Sequence, residues 1–370
     1  MRRMSVLTVL SLIICSLWCA ERIETDVELD IMVGQMLMIG FRGMEVNEES
    51  LIVQQIKEFH LGGIILFDYD VELGIAERNI ENRSQLAELT SQLQSFSLIP
   101  LFIAVDQEGG RVARLKERHG FPNFYSAGEL GRRNDLSLTH ETAAKIAETL
   151  QKVNINLNLA PVVDLNTNPE NPAIGRLERS FSSRPDSVAF QAEAFIDGLQ
   201  AGGVLSCIKH FPGHGSAFND SHYGLTDITN TWSEAELFPY EYLSEKENVR
   251  MIMTGHLFHS GFDEEHPATL SHNILNGILR EELGFDGVII SDDMNMQAIT
   301  DYYGMEEAVL LALQAGVDII LFANNMQYDP LISEKLHNYI INLVKDGIIS
   351  RERISESYER IMRVKEMLEY

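Results

Sequence analysis

Eight short apolar runs, as a set rich in Val and Ile, recur along this chain and constrain its fold more than any other feature. The runs have the length of strands and most are bounded by Gly, Pro or Asp, which is typical of strands buried on both faces. Such strands belong to parallel sheets that are covered by helices. The runs are Met36–Phe41, Gly63–Phe67, Leu101–Val105, Ile155–Val163, Val204–Ile208, Met251–Met253, Gly287–Ile290 and Asp318–Phe322.

The segments between these runs show helical apolar spacing, and several end at a glycine suited to a left-handed helix terminus. Eight strand-then-helix units predict an α/β protein, and a single (β/α)8 TIM-type barrel fits them better than an open doubly wound sheet. A dinucleotide-binding sheet would need a glycine-rich turn after its first strand, and Gly40–Gly43 lacks that spacing. No linker divides the chain, so we expect no second catalytic domain. The predicted helices are Gln85–Phe96, Glu141–Val153, Val188–Ala201, Asn273–Leu283, Glu306–Ala315 and Glu352–Leu368.

The composition is that of an acidic globular protein, with 370 residues, 45% hydrophobic residues and a formal net charge of −26. The hydrophobic fraction excludes wholesale disorder and low-complexity architecture. A strongly negative surface repels phosphate groups, so we expect no nucleic-acid partner.

Residues 1–20 have the pattern of an export signal. Arg2 and Arg3 precede an uncharged, largely apolar run, Val6–Trp18, which is short for a membrane span but suits a secretory signal. The sequence therefore predicts a signal peptide or N-terminal anchor over residues 1–20, a barrel domain over residues 21–370, and an exported protein, periplasmic or secreted. Membrane attachment is expected only through this segment. A buried N-terminal helix, an uncleaved anchor and a lipoprotein stay open as alternatives.

Polar residues gather just after five consecutive predicted strands, from the third to the seventh. In a barrel the carboxyl ends of the strands meet on one face, where barrel enzymes carry out their chemistry. A single Asp or His at such a place is usually a cap or rim residue, but capping alone does not explain five consecutive strands. The polar segments are Asp106–Arg111 with Arg114, Pro161–Asp164, Lys209–Gly215 with Asp220–His222, Thr254–His256 and Ser291–Asp293.

Two chemistries fit this cluster. Asp292 could act as a nucleophile or charge stabiliser while a neighbouring acid protonates the leaving group, as in a glycosidase. Alternatively, four histidines and an Asp could hold a divalent metal for hydrolysis. Lys209 and the nearby arginines suit hydroxyl or anionic groups better than a dication, and no G-x-x-x-x-G-K-[ST] phosphate loop is present in the sequence. The histidines are His210, His214, His222 and His256.

Four segments carry motifs that belong together in one enzyme family: Asp106–Val112, Lys209–Gly215, Asp220–Gly224 and Ser291–Met294. With these motifs, and from Gly34–Phe41 to the last strand, the chain resembles the glycoside hydrolase family 3 β-N-acetylhexosaminidases. These are the bacterial β-N-acetylglucosaminidases of cell-wall metabolism.

The resemblance implies roles for individual residues. Asp292 is expected to be the catalytic nucleophile, His222 the general acid/base, and Asp220 the carboxylate that orients His222. Asp293 is expected to be a hydrogen-bonding helix cap. No metal and no cofactor are implied. Residues expected to hold sugar hydroxyls or the N-acetyl group are Asp106, Arg114, Arg179, Lys209 and His210, and residues expected to support or line the pocket are His214 and His256.

A histidine suits the acid/base role because its unperturbed pKa of about 6.5 lets it exchange a proton near neutrality. The expected activity is that of a retaining β-N-acetylhexosaminidase that releases terminal non-reducing β-linked N-acetylglucosamine from peptidoglycan- or chitin-derived oligosaccharides. The expected partners are glycans: N-acetylglucosaminides, muropeptides or chito-oligosaccharides. A family 3 β-glucosidase or β-xylosidase, and a non-catalytic glycan-binding wall protein, stay open as alternatives.

Two segments depart from the family pattern. The loop Asn171–Phe181 is longer than expected. In this loop Arg179 keeps the Arg-Ser-Phe context and is assigned the ligand role, with Arg176 as the alternative. Asp68–Asp70 follows the second strand, where Arg-Asn is usual, so we expect an altered pocket rim.

Overall fold

The computed structural model describes residues 28–368 and is built around parallel strands. Each of the eight apolar runs contains strand residues, so the eight predicted strand regions are confirmed. The fifth run contributes to two strands, β5 and β6, which lie on either side of Cys207. In chain order the strands of the parallel sheets are β1 (Leu37–Gly40), β2 (Gly63–Ile65), β3 (Phe102–Val105), β4 (Leu157–Asn158), β5 (Leu205–Ser206), β6 (Ile208–Phe211), β7 (Met251–Thr254), β8 (Val288–Ile290) and β9 (Ile320–Phe322).

These strands form two parallel sheets that adjoin at Cys207. One sheet has the order β9-β1-β2-β3-β4-β5, and the other has the order β6-β7-β8. Isolated bridges join Val162 to Lys209 and Ile290 to Ile319, and the amide of Ile319 donates to the carbonyl of Ile289 at 3.0 Å. The predicted α/β fold with parallel strands is therefore confirmed.

Burial on both faces explains why the strands appear as unbroken apolar runs. All residues of β1, β2, β3, β7, β8 and β9 are buried, as expected for parallel strands that are covered on both faces. The predicted helices are confirmed with boundary shifts of a few residues, and the one over Asn273–Glu282 is a π-helix. The helices cover residues 28–35, Leu51–Phe59, Arg83–Ser95, Ala127–Arg133, Leu136–Gln151, Pro185–Ala201, Phe238–Ser244, Asn273–Glu282, Gln297–Thr300, Met305–Ala315, Ile332–Lys345 and Arg351–Lys365.

The fourth strand is much shorter than the run Ile155–Val163 predicts. Only Leu157–Asn158 pairs as β4. Pro161 has no N–H group to donate to a neighbouring strand, so a regular ladder cannot continue through it. Beyond β4 the carbonyls of Ala160 and Pro161 accept from the amides of Cys207 and Lys209, at 3.1 and 3.3 Å, and Val162 forms an isolated bridge with Lys209.

Residues 68–77 loop out from the end of β2 as a hairpin, which we call the rim hairpin. Its strands Tyr69–Asp70 and Ile75–Ala76 are antiparallel. Where the hairpin closes, the Phe67 amide donates to Asn79 Oδ1 at 3.0 Å and the Asn79 amide donates to the Phe67 carbonyl at 2.9 Å. The Arg-Asn pair expected after β2 is thus present as Arg78 and Asn79, and the hairpin that carries Asp68–Asp70 precedes it.

The predicted leader over residues 1–20 lies outside the residues that the structure describes. Within residues 28–368, no helix is both long enough and apolar enough to cross a membrane.

Candidate active site

A cavity of about 450 Å³ opens at the carboxyl ends of the parallel strands. A volume of this size is in the range of small-ligand sites. Seven of the eight residues that the sequence assigns to catalysis or substrate binding line this cavity, and the eighth, Asp220, is hydrogen-bonded to one of them. The seven are Asp106, Arg114, Arg179, Lys209, His210, His222 and Asp292.

A buried ion cluster forms one wall of the cavity. Lys209, only 2% exposed, places its Nζ 2.7 Å from Asp106 Oδ1 and 2.8 Å from Glu108 Oε1. Arg179 donates to both carboxylate oxygens of Glu108, at 2.9 and 2.8 Å, and Arg114 Nη2 donates to Asp106 Oδ2 at 3.0 Å. The cluster therefore presents fixed, charged hydrogen-bonding groups at the cavity wall, as recognition of sugar hydroxyl or amide groups requires.

The charges in this cluster control its protonation. Burial alone would raise the pKa of Asp106, but the charges of Lys209 and Arg114 outweigh burial and hold it well below its usual range. In the same way Arg179 and Lys209 lower the pKa of Glu108 to about 2, against the effect of its burial. Burial would lower the pKa of Lys209, and the two carboxylates raise it instead. All three groups are thus charged near neutral pH.

An irregularity in β6 brings two consecutive side chains to the cavity. Lys209 pairs with Met253 and Phe211 with Thr254, so His210 is an extra residue in the register between β6 and β7. Side chains normally alternate between the faces of a strand, and a bulge changes that alternation. Lys209 and His210 consequently both line the cavity.

Hydrogen bonds to Asp164 fix the position of His210. This fully buried carboxylate lies 2.7 Å from His210 Nδ1 and accepts backbone hydrogen bonds from His210 and His214, at 3.1 and 2.8 Å. In the sequence, Asp164 is recognisable only as a polar residue after the fourth strand, and Glu108 only as part of a motif. The signal for Glu108 was its place in the Asp-Gln-Glu-Gly-Gly-Arg motif, and the signal for Asp164 was its place at a strand end.

His222 stands at the open side of the cavity, on a short 3₁₀ turn over Ser221–Tyr223. Asp220 accepts from both the backbone amide of His222, at 3.0 Å, and the ring Nδ1, at 2.7 Å. Burial alone would lower the pKa of His222, but the hydrogen bond to Asp220 and the charge of Asp292 raise it overall. Burial likewise opposes ionisation of Asp220, yet the bond to His222 lowers the pKa of that carboxyl to about 2. This imidazole can therefore hold a proton near neutral pH and present Nε2 to a ligand.

Asp292 follows β8 and faces the same cavity. Burial acts to raise its pKa, but the nearby His256, His210 and His222, together with the backbone amide of Asp293 at 2.8 Å, lower it overall. An ionised carboxylate and a protonatable imidazole thus share one cavity, and this arrangement can supply a nucleophile and a proton donor to a single bond.

Asp293 accepts backbone hydrogen bonds from Asn295 at 3.1 Å and from Ala323 at 2.9 Å. The expectation that it caps a helix was wrong, because the next helix has Met296 at its N-cap without a side-chain bond. Through its hydrogen bond with the Ala323 amide, Asp293 instead connects the end of β8 to the end of β9. Burial is the largest cause that raises its pKa, to about 6.

His214 and His256 do not line the cavity, and each has partners of its own. His214 Nε2 lies 3.3 Å from Ser221 Oγ, next to the turn that carries His222. His256 bonds to Thr269 Oγ1 at 2.8 Å and to the Asp293 carbonyl at 3.0 Å. Within residues 28–368, no group of three or more His, Cys, Asp or Glu side chains is arranged to hold a metal ion. The four histidines considered as a metal centre therefore do not form one.

Of the two arginines in the long loop after β4, only Arg179 reaches the cavity. Arg176 is exposed and pairs with the exposed Glu170 at 2.9 Å. The geometry therefore favours Arg179 for ligand contact.

Comparison with known proteins gives a consistent result. Residues 28–364 match the family described as "Glycosyl hydrolase family 3 N terminal domain". The chain is 33% identical to beta-hexosaminidase A of Pseudoalteromonas piscicida over 91% of its own length and 61% of the relative's, and 37% identical to a beta-hexosaminidase of Shewanella frigidimarina over 78% and 82% of the two chains.

Among solved structures, the chain is similar to a glycoside hydrolase family 3 beta-N-acetylglucosaminidase from Paenibacillus sp. str. FPU-7. The TM-score is 0.83 at 35% identity, covering 91% of this chain and 62% of that one. The chain thus spans less than two thirds of the Pseudoalteromonas and Paenibacillus proteins. Since the family description covers nearly all of the described residues and several relatives exceed 30% identity, this chain belongs to glycoside hydrolase family 3.

Proposed function

We propose that this chain is a retaining β-N-acetylhexosaminidase that releases terminal non-reducing β-linked N-acetylglucosamine from peptidoglycan- or chitin-derived oligosaccharides. One observation carries the proposal: a carboxylate with a lowered pKa, Asp292, shares a cavity with a histidine, His222, that a carboxylate holds at Nδ1. The names of the relatives, which are beta-hexosaminidases and a beta-N-acetylglucosaminidase, support the choice of sugar.

In the first step, the Asp292 carboxylate attacks the anomeric carbon and forms a glycosyl-enzyme, while His222 gives its Nε2 proton to the departing oxygen. The bond from Nδ1 to Asp220 leaves Nε2 as the nitrogen free to act and stabilises the imidazolium. In the second step, neutral His222 takes a proton from water as the water attacks the anomeric carbon. Asp292 then leaves as a carboxylate, and the configuration at that carbon is retained.

The remaining assigned residues suit the binding of the terminal sugar. Asp106, Lys209 and Arg114 form a charged chain of donors and acceptors along the wall. Next to this chain of charges, Arg179 Nη2 lies 3.3 Å from His210 Nε2. Charged groups arranged this way bind hydroxyl and amide groups in fixed directions. We assign these five residues to the sugar hydroxyls and the N-acetyl group.

We further propose that the two parallel sheets form one closed (β/α)8 barrel. The continuity of β5 and β6 through Cys207 and the bridge from Ile290 to Ile319 support this arrangement. We also propose that the protein is exported by a leader over residues 1–20, with membrane attachment only through that segment. The charge pattern of the leader supports this.

Initial rates on p-nitrophenyl β-N-acetylglucosaminide and β-glucoside test the proposed function. We expect the wild type to cleave the first substrate preferentially, and Asp292→Ala to lose at least about a thousandfold in kcat. Asp301→Ala, which removes an exposed acid from the same segment, is the matched control and should keep wild-type rates. Preference for the glucoside would overturn the choice of sugar, and no cleavage by folded protein would favour a glycan-binding protein.

A further inference from the structure

The rim hairpin is rigidly attached beside the cavity. Asp70, 2% exposed, accepts from Arg42 Nε at 2.6 Å and from Arg78 Nη1 at 2.8 Å. Asn325, which follows β9, accepts from the amide of Val71 at 3.0 Å and donates to the carbonyl of Tyr69 at 3.1 Å. These ion pairs and hydrogen bonds hold the segment from Tyr69 to Val71 in a defined position beside the cavity.

The outer positions of this hairpin are apolar although they are open to solvent. Every second residue from 69 to 75 is a large apolar one, and all four are between 42% and 55% exposed. Four exposed apolar side chains on one short hairpin of an otherwise acidic protein make an apolar patch, which indicates a contact surface rather than ordinary exterior. The four residues are Tyr69, Val71, Leu73 and Ile75.

Two of these residues indicate what the patch contacts. Tyr69 and Val71 line the same cavity as Asp292 and His222, so a ligand that fills the polar part of the cavity and extends outward meets them. Apart from Asp68, which is paired with Lys116 and Arg118, the charged residues of the cavity wall come from segments outside the hairpin, and they suit the hydroxyl groups of one ring. The hairpin adds an aromatic ring and an aliphatic side chain, which fit the C–H face of a second pyranose.

We propose that Tyr69 and Val71 of the rim hairpin form a subsite for the second sugar ring of the substrate, the ring that becomes the leaving group. This inference rests on the proposed function, because it takes the polar part of the cavity as the site of the terminal sugar. The subsite makes the enzyme prefer oligosaccharides over substrates with a small leaving group. Binding of the hairpin to a lipid surface or to a second copy of this chain would leave the position of Tyr69 and Val71 in the cavity wall unexplained.

Steady-state kinetics with two substrates test the subsite. Triacetylchitotriose places a sugar on the hairpin, whereas β-N-acetylglucosaminyl fluoride has a leaving group too small to reach it. We expect Tyr69→Ala and Val71→Ala to raise KM for the trisaccharide about fivefold to tenfold. Neither substitution should change kcat or KM for the fluoride. Leu73→Ala, on the same hairpin but outside the cavity wall, is the matched control and should behave like wild type on both substrates.

Unchanged trisaccharide kinetics in both cavity variants, or an equal loss on both substrates, would overturn the subsite. Sedimentation of the protein, alone and with phosphatidylcholine vesicles, tests whether the hairpin binds a second copy of this chain or a lipid surface instead. Self-association or vesicle binding that Leu73→Ala abolishes would assign the hairpin to a second copy or to lipid and overturn the proposal. If wild type cleaves neither substrate, the proposed function fails. Calorimetric titration of triacetylchitotriose then decides the subsite, with weaker binding by Tyr69→Ala supporting it and equal binding contradicting it.

Discussion

Asp292 and His222 need opposite protonation states, and their surroundings produce them. Asp292 must be ionised to attack, and neighbouring histidines and a backbone amide lower its pKa against the effect of burial. His222 must be protonated to act first as an acid, and Asp220 raises its pKa against the same effect. The rate should therefore fall in acid, where Asp292 takes up a proton, and again in alkali, where His222 loses one.

Replacing Asp220 by Asn should move only the alkaline limb of this profile. Without the carboxylate the pKa of His222 falls, so kcat/KM should begin to decline at a lower pH than in wild type. At neutral pH we expect a loss on the order of 10- to 100-fold, because the imidazole also loses its fixed orientation. The measurement is kcat/KM for the p-nitrophenyl substrate as a function of pH.

Asp227→Asn is the control for this experiment, since Asp227 lies a few residues after His222, is exposed, and accepts from the Thr229 amide at 2.8 Å. Its profile should match wild type. An alkaline limb that stays in place in Asp220→Asn would mean that His222 is not the group whose deprotonation limits the rate.

At the scale of elements, the ion cluster joins three separate segments. Glu108 belongs to the hairpin after β3, Lys209 belongs to β6, and Arg179 belongs to the long loop after β4. All three side chains are largely buried. Removal of one charge therefore leaves the opposite charge buried without an ion-pair partner, which destabilises the folded state.

Glu108→Gln should therefore destabilise the fold by about 3 kcal/mol, although the side chain keeps its shape. Urea-induced unfolding, followed by circular dichroism, gives the free energy of unfolding. Glu170→Gln removes a carboxylate from the exposed pair with Arg176 and should change that free energy by less than about 0.5 kcal/mol. Equal effects of the two substitutions would show that the buried cluster does not hold the three segments together.

The strands and most of the cavity residues were predictable, for physical reasons that also explain the failures. Strands buried on both faces appear as uninterrupted apolar runs, and polar residues after them must lie at one end of a parallel sheet. The contacts of Glu108 and Asp164 depend on which loops approach each other, and spacing along the chain does not contain that information. The rim hairpin has strands of only two residues, too short to show a period, so its apolar positions were not recognised as a surface.

At the scale of the whole molecule, the parallel strands gather residues that are far apart in sequence. Asp106, Lys209, His222 and Asp292 follow or belong to different segments, yet all four line one cavity because strand order brings the carboxyl ends together. In the proposed mechanism this assembly serves one covalent step, in which the anomeric carbon of the sugar becomes bonded to Asp292 during each turnover.

Trapping of this glycosyl-enzyme tests whether Asp292 is the nucleophile. A 5-fluoro derivative of N-acetylglucosaminyl fluoride has a good leaving group and a ring fluorine that slows the second step, so the glycosyl-enzyme accumulates. After proteolysis, tandem mass spectrometry of the wild-type protein should find the added sugar on Asp292. A sugar attached to any other residue, or turnover of ordinary substrate by an Asp292→Ala variant at the wild-type rate, would contradict the account.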